Sequence, residues 1–419
     1  MKLLWLCNVA PSAVEEKVTG RRGSGLWMDQ MLEGLRALGA EVRILCPGSG
    51  RSRGVIDERC SYRIFPDCPP QDYQSEQELL FRETLKEFCP DVIHVWGTEY
   101  AHSLAMARAA AAEGQIPRMV VSLQGICSAI SLHYAEGIPM KAQKQYTFRD
   151  LVRRDNILQQ KRKFALRGAH EAETLTLAEH AIGRTEWDFA CVHQLNPEIH
   201  YHVCGETLRQ PFYDGQWRYA SCRRHRIFAS SCEYPVKGFH YLLEAMAQLT
   251  RRYPDVTLAV PGTDFLHLQG AARLRENSYQ HYLAQLVRRF GLEGRIEFLG
   301  GLSAEQMKEN YLSANVFVLP STVENSPNSL GEAMLLGVPS VAAHVGGVCD
   351  MLQDREEGYV YQSTAPYMLA HSIGTVFDLE DRAEKLGERA RLHALRTHDP
   401  KTNLRDLLKI YGEVGGTAL

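Results

Sequence analysis

No stretch of this chain stays apolar long enough to cross a bilayer. The run from Leu3 to Cys7 is cut short by Asn8 and Pro11, with Glu15 and Glu16 close behind. It therefore reads as a first buried strand and not as a signal peptide. No C-x-x-C pair occurs among the 11 cysteines, whose spacings are irregular. That excludes a zinc ribbon or a disulfide frame and points to reduced, mostly buried thiols in a cytoplasmic protein. No D-x-D stands out as a metal site, so no metal and no bound cofactor are expected. Charge of one sign is lacking too: 47 basic against 50 acidic side chains leave −3, with no general reason for a nucleic-acid partner. The dinucleotide fingerprint is incomplete. Gly23 and Gly25 stand before a helical pattern, but Met28 takes the place of the third glycine. A nicotinamide reading loses ground, and the G-x-G serves a tight turn as readily as a ligand loop.

What is present is an ordinary globular composition, 45% hydrophobic and 23% charged, over 419 residues, enough for two domains with a core each. Buried-strand patterns alternate with amphipathic helices. Leu3 to Val9 leads through a polar loop and the G-x-G to a helix at Leu26 to Leu38, and Val42 to Cys46 follows as a strand. Further strands are expected at Asp91 to Trp96 and Met119 to Leu123, with helices at Gln77 to Phe88 and Tyr100 to Ala112. Residues 138–163 are basic and amphipathic. They suit either a solvated helix face or a peripheral contact with an anionic membrane, at its inner face. Arg184, where a strand meets a helix start in Gly183 to Asp188, is a candidate contact for phosphate or acceptor, or else a structural ion pair. The irregular stretch Asn196 to Tyr219 predicts a domain boundary near 215–222. A second strand series begins at Ile227 to Ala229 and ends in helices that fill Ala365 to Thr397. The last segment, Asn403 to Tyr411, suits a helix returning to the first domain.

The most informative stretch is NVFVLPSTVENSPNSLGEAMLLGVPSVAAHVGG, Asn315 to Gly347. A buried strand ends at Pro320, a polar loop carries Glu324, and a helix starts near Asn328 or Ser329 as N-cap, placing Glu332 in its first turn. A helix N-terminus offers unpaired amides to a diphosphate, and a carboxylate there can accept two hydroxyls of a ribose. This ordered pattern, with two glutamates eight positions apart and a following paired glycine, resembles the donor-binding signature of family 4 glycosyltransferases. The match is dense from about residue 226 to 361 and looser before it.

The resemblance implies an α/β chain of the GT-B fold, two doubly wound Rossmann-like domains facing across a cleft. Residues 1–218, with a return helix at 400–419, would form the acceptor side, and 219–399 the donor side. It implies a retaining transferase, moving a sugar from a nucleotide diphosphate sugar to a glycan or lipid-linked hydroxyl acceptor in polysaccharide or glycoconjugate synthesis. Glu332 would hold ribose, Glu324 the sugar, and Lys237 with the amides near Asn328, Ser329 and Leu330 the diphosphate. The Gly23 to Gly25 loop would lie close by. Two positions depart from the family pattern. Ser230 or Ser231 stands where an arginine is usual, a gap Arg184 could fill, and Gln124 stands where a histidine is usual. His133 could take over that role, or it is a loop histidine without one. The alternatives are a nucleotide-sugar epimerase or phosphorylase on the same scaffold, or a catalytically silent sugar-nucleotide binder.

Overall fold

The computed structural model describes residues 1–20 and 26–416. The first sheet has eight strands: β1 (Lys2–Cys7), β2 (Glu41–Gly48), β3 (Ser52–Asp57), β4 (Cys60–Pro66), β5 (Val92–Trp96), β6 (Met119–Ser122), β7 (His180–Gly183) and β8 (His200–Val203). They lie in the order β3-β4-β2-β1-β5-β6-β7-β8, parallel except for the β3–β4 hairpin. β1 shows why its residues make a central strand. Leu3, Trp5 and Cys7 enter one core layer, while Leu4 and Leu6 enter the layer on the other face.

The second sheet comprises β9 (Arg226–Phe228), β10 (Thr257–Val260), β11 (Ile296–Phe298), β12 (Val316–Leu319), β13 (Ser340–Ala343) and β14 (Tyr359–Tyr361). Its order is β11-β10-β9-β12-β13-β14, parallel throughout, which is the doubly wound order of a Rossmann sheet. The strand order reverses between β9 and β12, and in the first sheet between β1 and β5. Crevices for ligands open beyond the strand ends at such points.

Two compact units result, one of residues 1–129, 164–207 and 398–419, the other of 130–163 and 208–397. The change of unit falls after Thr207 and not near 215–222. The stretch that looks like a linker is drawn into the second core by its aromatic residues. Phe212 and Trp217 are fully buried there, and the Trp217 indole donates to the carbonyl of Ala314 at 2.7 Å. Burying one such side chain contributes roughly 1.5–3 kcal/mol, enough to override a polar local composition. The C-terminal helix Pro400–Gly415 does pack on the first sheet, through Leu407, Ile410, Tyr411 and Val414. Among the elements that went unread in the sequence, two stand out in the first unit. The expected loop after Val9 holds a helix at Ser12–Thr19 that buries only Ser12 and Val14, too few for a stripe. The β3–β4 hairpin is an edge whose first strand buries no residue, so its residues carry no alternation. No helix among the described residues is long and apolar enough to cross a membrane.

Candidate functional site

In the second unit, the two loops that follow the reversal strands β9 and β12 are stitched together. The amide of Thr322 donates to the carbonyl of Val236 at 2.8 Å. Gly238 takes φ +63, and a Cβ there would sit 1.8 Å from the carbonyl oxygen of Pro320, so only glycine permits the approach. This contact brings Lys237 from one loop to Glu324 of the other. The Lys237 Nζ donates to Glu324 Oε1 at 2.6 Å, and Ser321 Oγ donates to the same oxygen at 2.7 Å. From its far side Glu324 is held by the paired glycine of the motif. The Gly347 amide donates to the Glu324 carbonyl, and at Gly346, φ +49, a Cβ would again come within 1.8 Å of that oxygen. The spacing from Glu324 to the glycines is thus one physical contact.

The helix after Glu324 spans Asn328–Leu335, with Pro327 as its N-cap and no side-chain cap. Neither Asn328 nor Ser329 is the cap, and Glu332 lies one position beyond the first turn. The fixed φ of proline serves at this boundary, and the amides of Leu330 and Gly331 already donate to the Pro327 carbonyl. Of the first-turn amides, those of Asn328 and Ser329 precede any intrahelical acceptor, whereas the Leu330 amide is spoken for.

Glu332 is buried and gripped by Arg209, with Nε to Oε1 at 2.7 Å and Nη2 to Oε2 at 2.9 Å. Burial pushes the Glu332 carboxyl up from the ordinary range, and the bonds from Arg209 pull partly against it. Burial also works against the charge of Arg209, but its bonds to Glu332 prevail and its pKa stands raised. Arg209 lies in the stretch read as linker, where no local pattern marks it. A cation beside a buried glutamate was the missing signal.

The remaining candidates divide between the units. His133 belongs with the second unit. Its ring bonds Glu136 at 2.7 Å, and its carbonyl accepts the hydroxyl of Thr322 at 3.1 Å, next to the Glu324 loop. Ser230 is half-buried just beyond β9. Gln124 and Arg184 line a cavity of about 40 Å³ in the first unit, with His94, Trp96 and Glu206 among its other walls. Such a space suits a water and not a phosphate or a sugar. Arg184 is ion-paired with Glu206 and donates to the carbonyl of Leu123 at 3.0 Å. Gly23 and Gly25 lie outside the described residues. No group of three or more histidine, cysteine, aspartate or glutamate side chains that could hold a metal occurs among the described residues.

The first unit has its own cluster at the reversal point. Asn8, after β1, donates to Glu99 Oε2 at 2.8 Å and bonds the His102 ring at 2.8 Å. Glu171 accepts from the amide of Cys127 at 3.0 Å and from Thr98 Oγ1 at 3.1 Å. Burial raises the Glu99 carboxyl and lifts that of Glu171 to about 7, although these donors pull it down.

Residues 226–393 match the family described as "Glycosyl transferases group 1", and residues 22–157 match "Glycosyl transferase 4-like domain". Among curated relatives, a D-inositol 3-phosphate glycosyltransferase of Corynebacterium diphtheriae is 30% identical over 38% of this chain and 35% of its own length. A GDP-mannose-dependent alpha-(1-6)-phosphatidylinositol monomannoside mannosyltransferase of Mycolicibacterium smegmatis is 27% identical over 42% of this chain and 45% of its own. The matched part is thus less than half the length of either relative. Among solved structures, sucrose-phosphate synthase of Thermosynechococcus elongatus superposes with TM-score 0.72 at 17% identity, covering 99% of this chain and 100% of its own. Anabaena HepE in complex with UDP-glucose gives 0.68 at 18% identity, covering 98% and 99%. These two likenesses concern the fold alone.

Proposed function

The chain belongs to glycosyltransferase family 4 and has the GT-B type of fold, and from that premise we propose that it moves a hexosyl group from a nucleoside diphosphate sugar to a hydroxyl acceptor with retention at the anomeric carbon. The observation that carries this reading is the Lys237–Glu324 pair, set at the strand reversal beside the open end of the Asn328–Leu335 helix. It supplies a cation, a carboxylate and two amides, which suit a diphosphate joined to a sugar.

The chemistry follows from the charges that develop. As the anomeric bond breaks, negative charge grows on the leaving diphosphate, and Lys237 with the amides of Asn328 and Ser329 stabilises it. Positive charge grows on the sugar, whose hydroxyls Glu324 accepts. Glu332, kept in place by Arg209, takes the ribose diol through its remaining lone pairs. The acceptor enters on the face the diphosphate leaves, and a diphosphate oxygen receives its proton. With the leaving charge met by the chain itself, turnover needs no divalent ion. Loss of turnover in chelator that magnesium restores would contradict that step.

The acceptor in this reading is a glycan or a lipid-linked glycan, met in the cytoplasm during polysaccharide or glycoconjugate synthesis. A thermal-shift panel of UDP-, GDP- and ADP-sugars tests the donor. One member should raise stability by about 2.7 kcal/mol at a hundred times its Kd. No shift with any of them would overturn the proposal, and release of an altered nucleotide sugar without acceptor would turn it into an epimerase.

A further inference from the structure

The basic segment 138–163 is folded against the second unit, and the manner of its folding leaves an unusual face outward. A short helix, Phe148–Arg153, is started by a capping box in which Thr147 accepts the Asp150 amide and Asp150 reaches back to Thr147. Asp150 is wholly buried and also accepts the Ser278 amide at 2.8 Å, so the helix is pinned in one orientation. The other acid of the segment, Asp155, takes Arg149 at 3.0 Å and Lys163 at 3.0 Å. Both acids of 138–163 are therefore spent on inward contacts.

What remains on the outside is apolar and positive. Phe148, Leu151 and Val152, spaced i, i+3, i+4, are 60%, 63% and 70% exposed, the reverse of an ordinary surface helix. Met140 and Tyr146 of the same segment are exposed too. The exposed charges of residues 138–154 are Lys141, Lys144, Arg153 and Arg154, all of one sign.

We propose that this face is a docking surface for an anionic lipid bilayer, with Phe148, Leu151 and Val152 entering the boundary between headgroups and acyl chains and the four cations among the headgroups. A second copy of the chain fits the face less well, because a two-fold contact sets like charges against each other. The surface is small, so binding is reversible and depends on both its parts. It uses none of the residues of the donor site, and its failure would leave the transferase reading untouched.

Flotation of the full chain with vesicles of phosphatidylcholine alone, or mixed with phosphatidylglycerol, tests this. The chain should float with the anionic vesicles, much less at high salt, and not with the zwitterionic ones. Combining Phe148→Ser, Leu151→Ser and Val152→Ser should weaken flotation at least about tenfold, as should Lys141→Glu with Lys144→Glu. A fluorophore on Leu151→Cys should shift to the blue on anionic vesicles, a readout that does not depend on the stability of the triple variant. Absence of flotation with anionic vesicles overturns the proposal, and so does a triple variant that floats equally well. A wild-type dimer that the triple variant dissolves also overturns it, assigning the face to a second copy.

Discussion

Both sheets reverse their strand order at one point, and the two points are built differently. In the second unit the carboxylates there are met by cations, Glu324 by Lys237 and Glu332 by Arg209. In the first unit Glu171 is buried and Glu99 half-buried, with Asn8, Thr98 and the Cys127 amide as donors to their carboxylates, while Arg167 binds the Glu99 carbonyl and its charge acts on the carboxylate from nearby. Glu324 and Glu332 each keep a cation within hydrogen-bond distance, a charged setting that suits a polar ligand. Glu171 is hydrogen-bonded by neutral donors alone, and burial lifts it to about 7. The same topological place thus hydrogen-bonds its carboxylates to cations in one half and to neutral side chains and amides in the other.

The comparison can be broken most forcefully at Arg209. Arg209→Ala leaves Glu332 buried without its partner and should cost about 3–5 kcal/mol in urea unfolding. Adding Glu332→Gln should recover much of that loss; no recovery would mean that the pair is not the cause. Lys237→Ala should lower turnover about 10²- to 10³-fold, roughly 3–4 kcal/mol of transition-state stabilisation, measured as nucleotide release at saturating donor.

A third prediction concerns the first unit. The folded Glu171 carboxyl titrates at about 7, above its ordinary 4.5. The stability it contributes is fully present below the lower value and is lost as pH rises through the higher. The change should amount to about 3 kcal/mol. Glu171→Gln should flatten this slope in denaturation curves taken from pH 4.5 to 8. Smallest, Asn8→Ala should cost about 1 kcal/mol, by taking one donor from half-buried Glu99.

The second site was legible because its parts are contiguous. Glu324, the helix start, Glu332 and the paired glycine occupy one stretch, and Gly238 marks the loop that meets it. The first cluster joins Asn8, Thr98, Glu99, Cys127 and Glu171, five positions that no local pattern connects. Arg209 was hidden for the same reason, since its role exists only once Phe212 and Trp217 are buried in the second core. The helix boundary shifted because Pro327, a poor candidate for a side-chain cap, ends the loop through its backbone alone. Strands buried on both faces, such as β1 and β12, were readable as apolar runs. The β3–β4 edge was not, for half-exposed polar strands leave no such run.

The central claim, that a nucleoside diphosphate is held where Lys237 meets the open end of the Asn328–Leu335 helix, is tested most directly by calorimetric titration of UDP, GDP and ADP. One of them should bind the wild-type chain, and Lys237→Ala should weaken that nucleotide at least about tenfold, the loss expected for one charge-assisted contact. Equal affinity in the two proteins would place the diphosphate elsewhere and contradict the account.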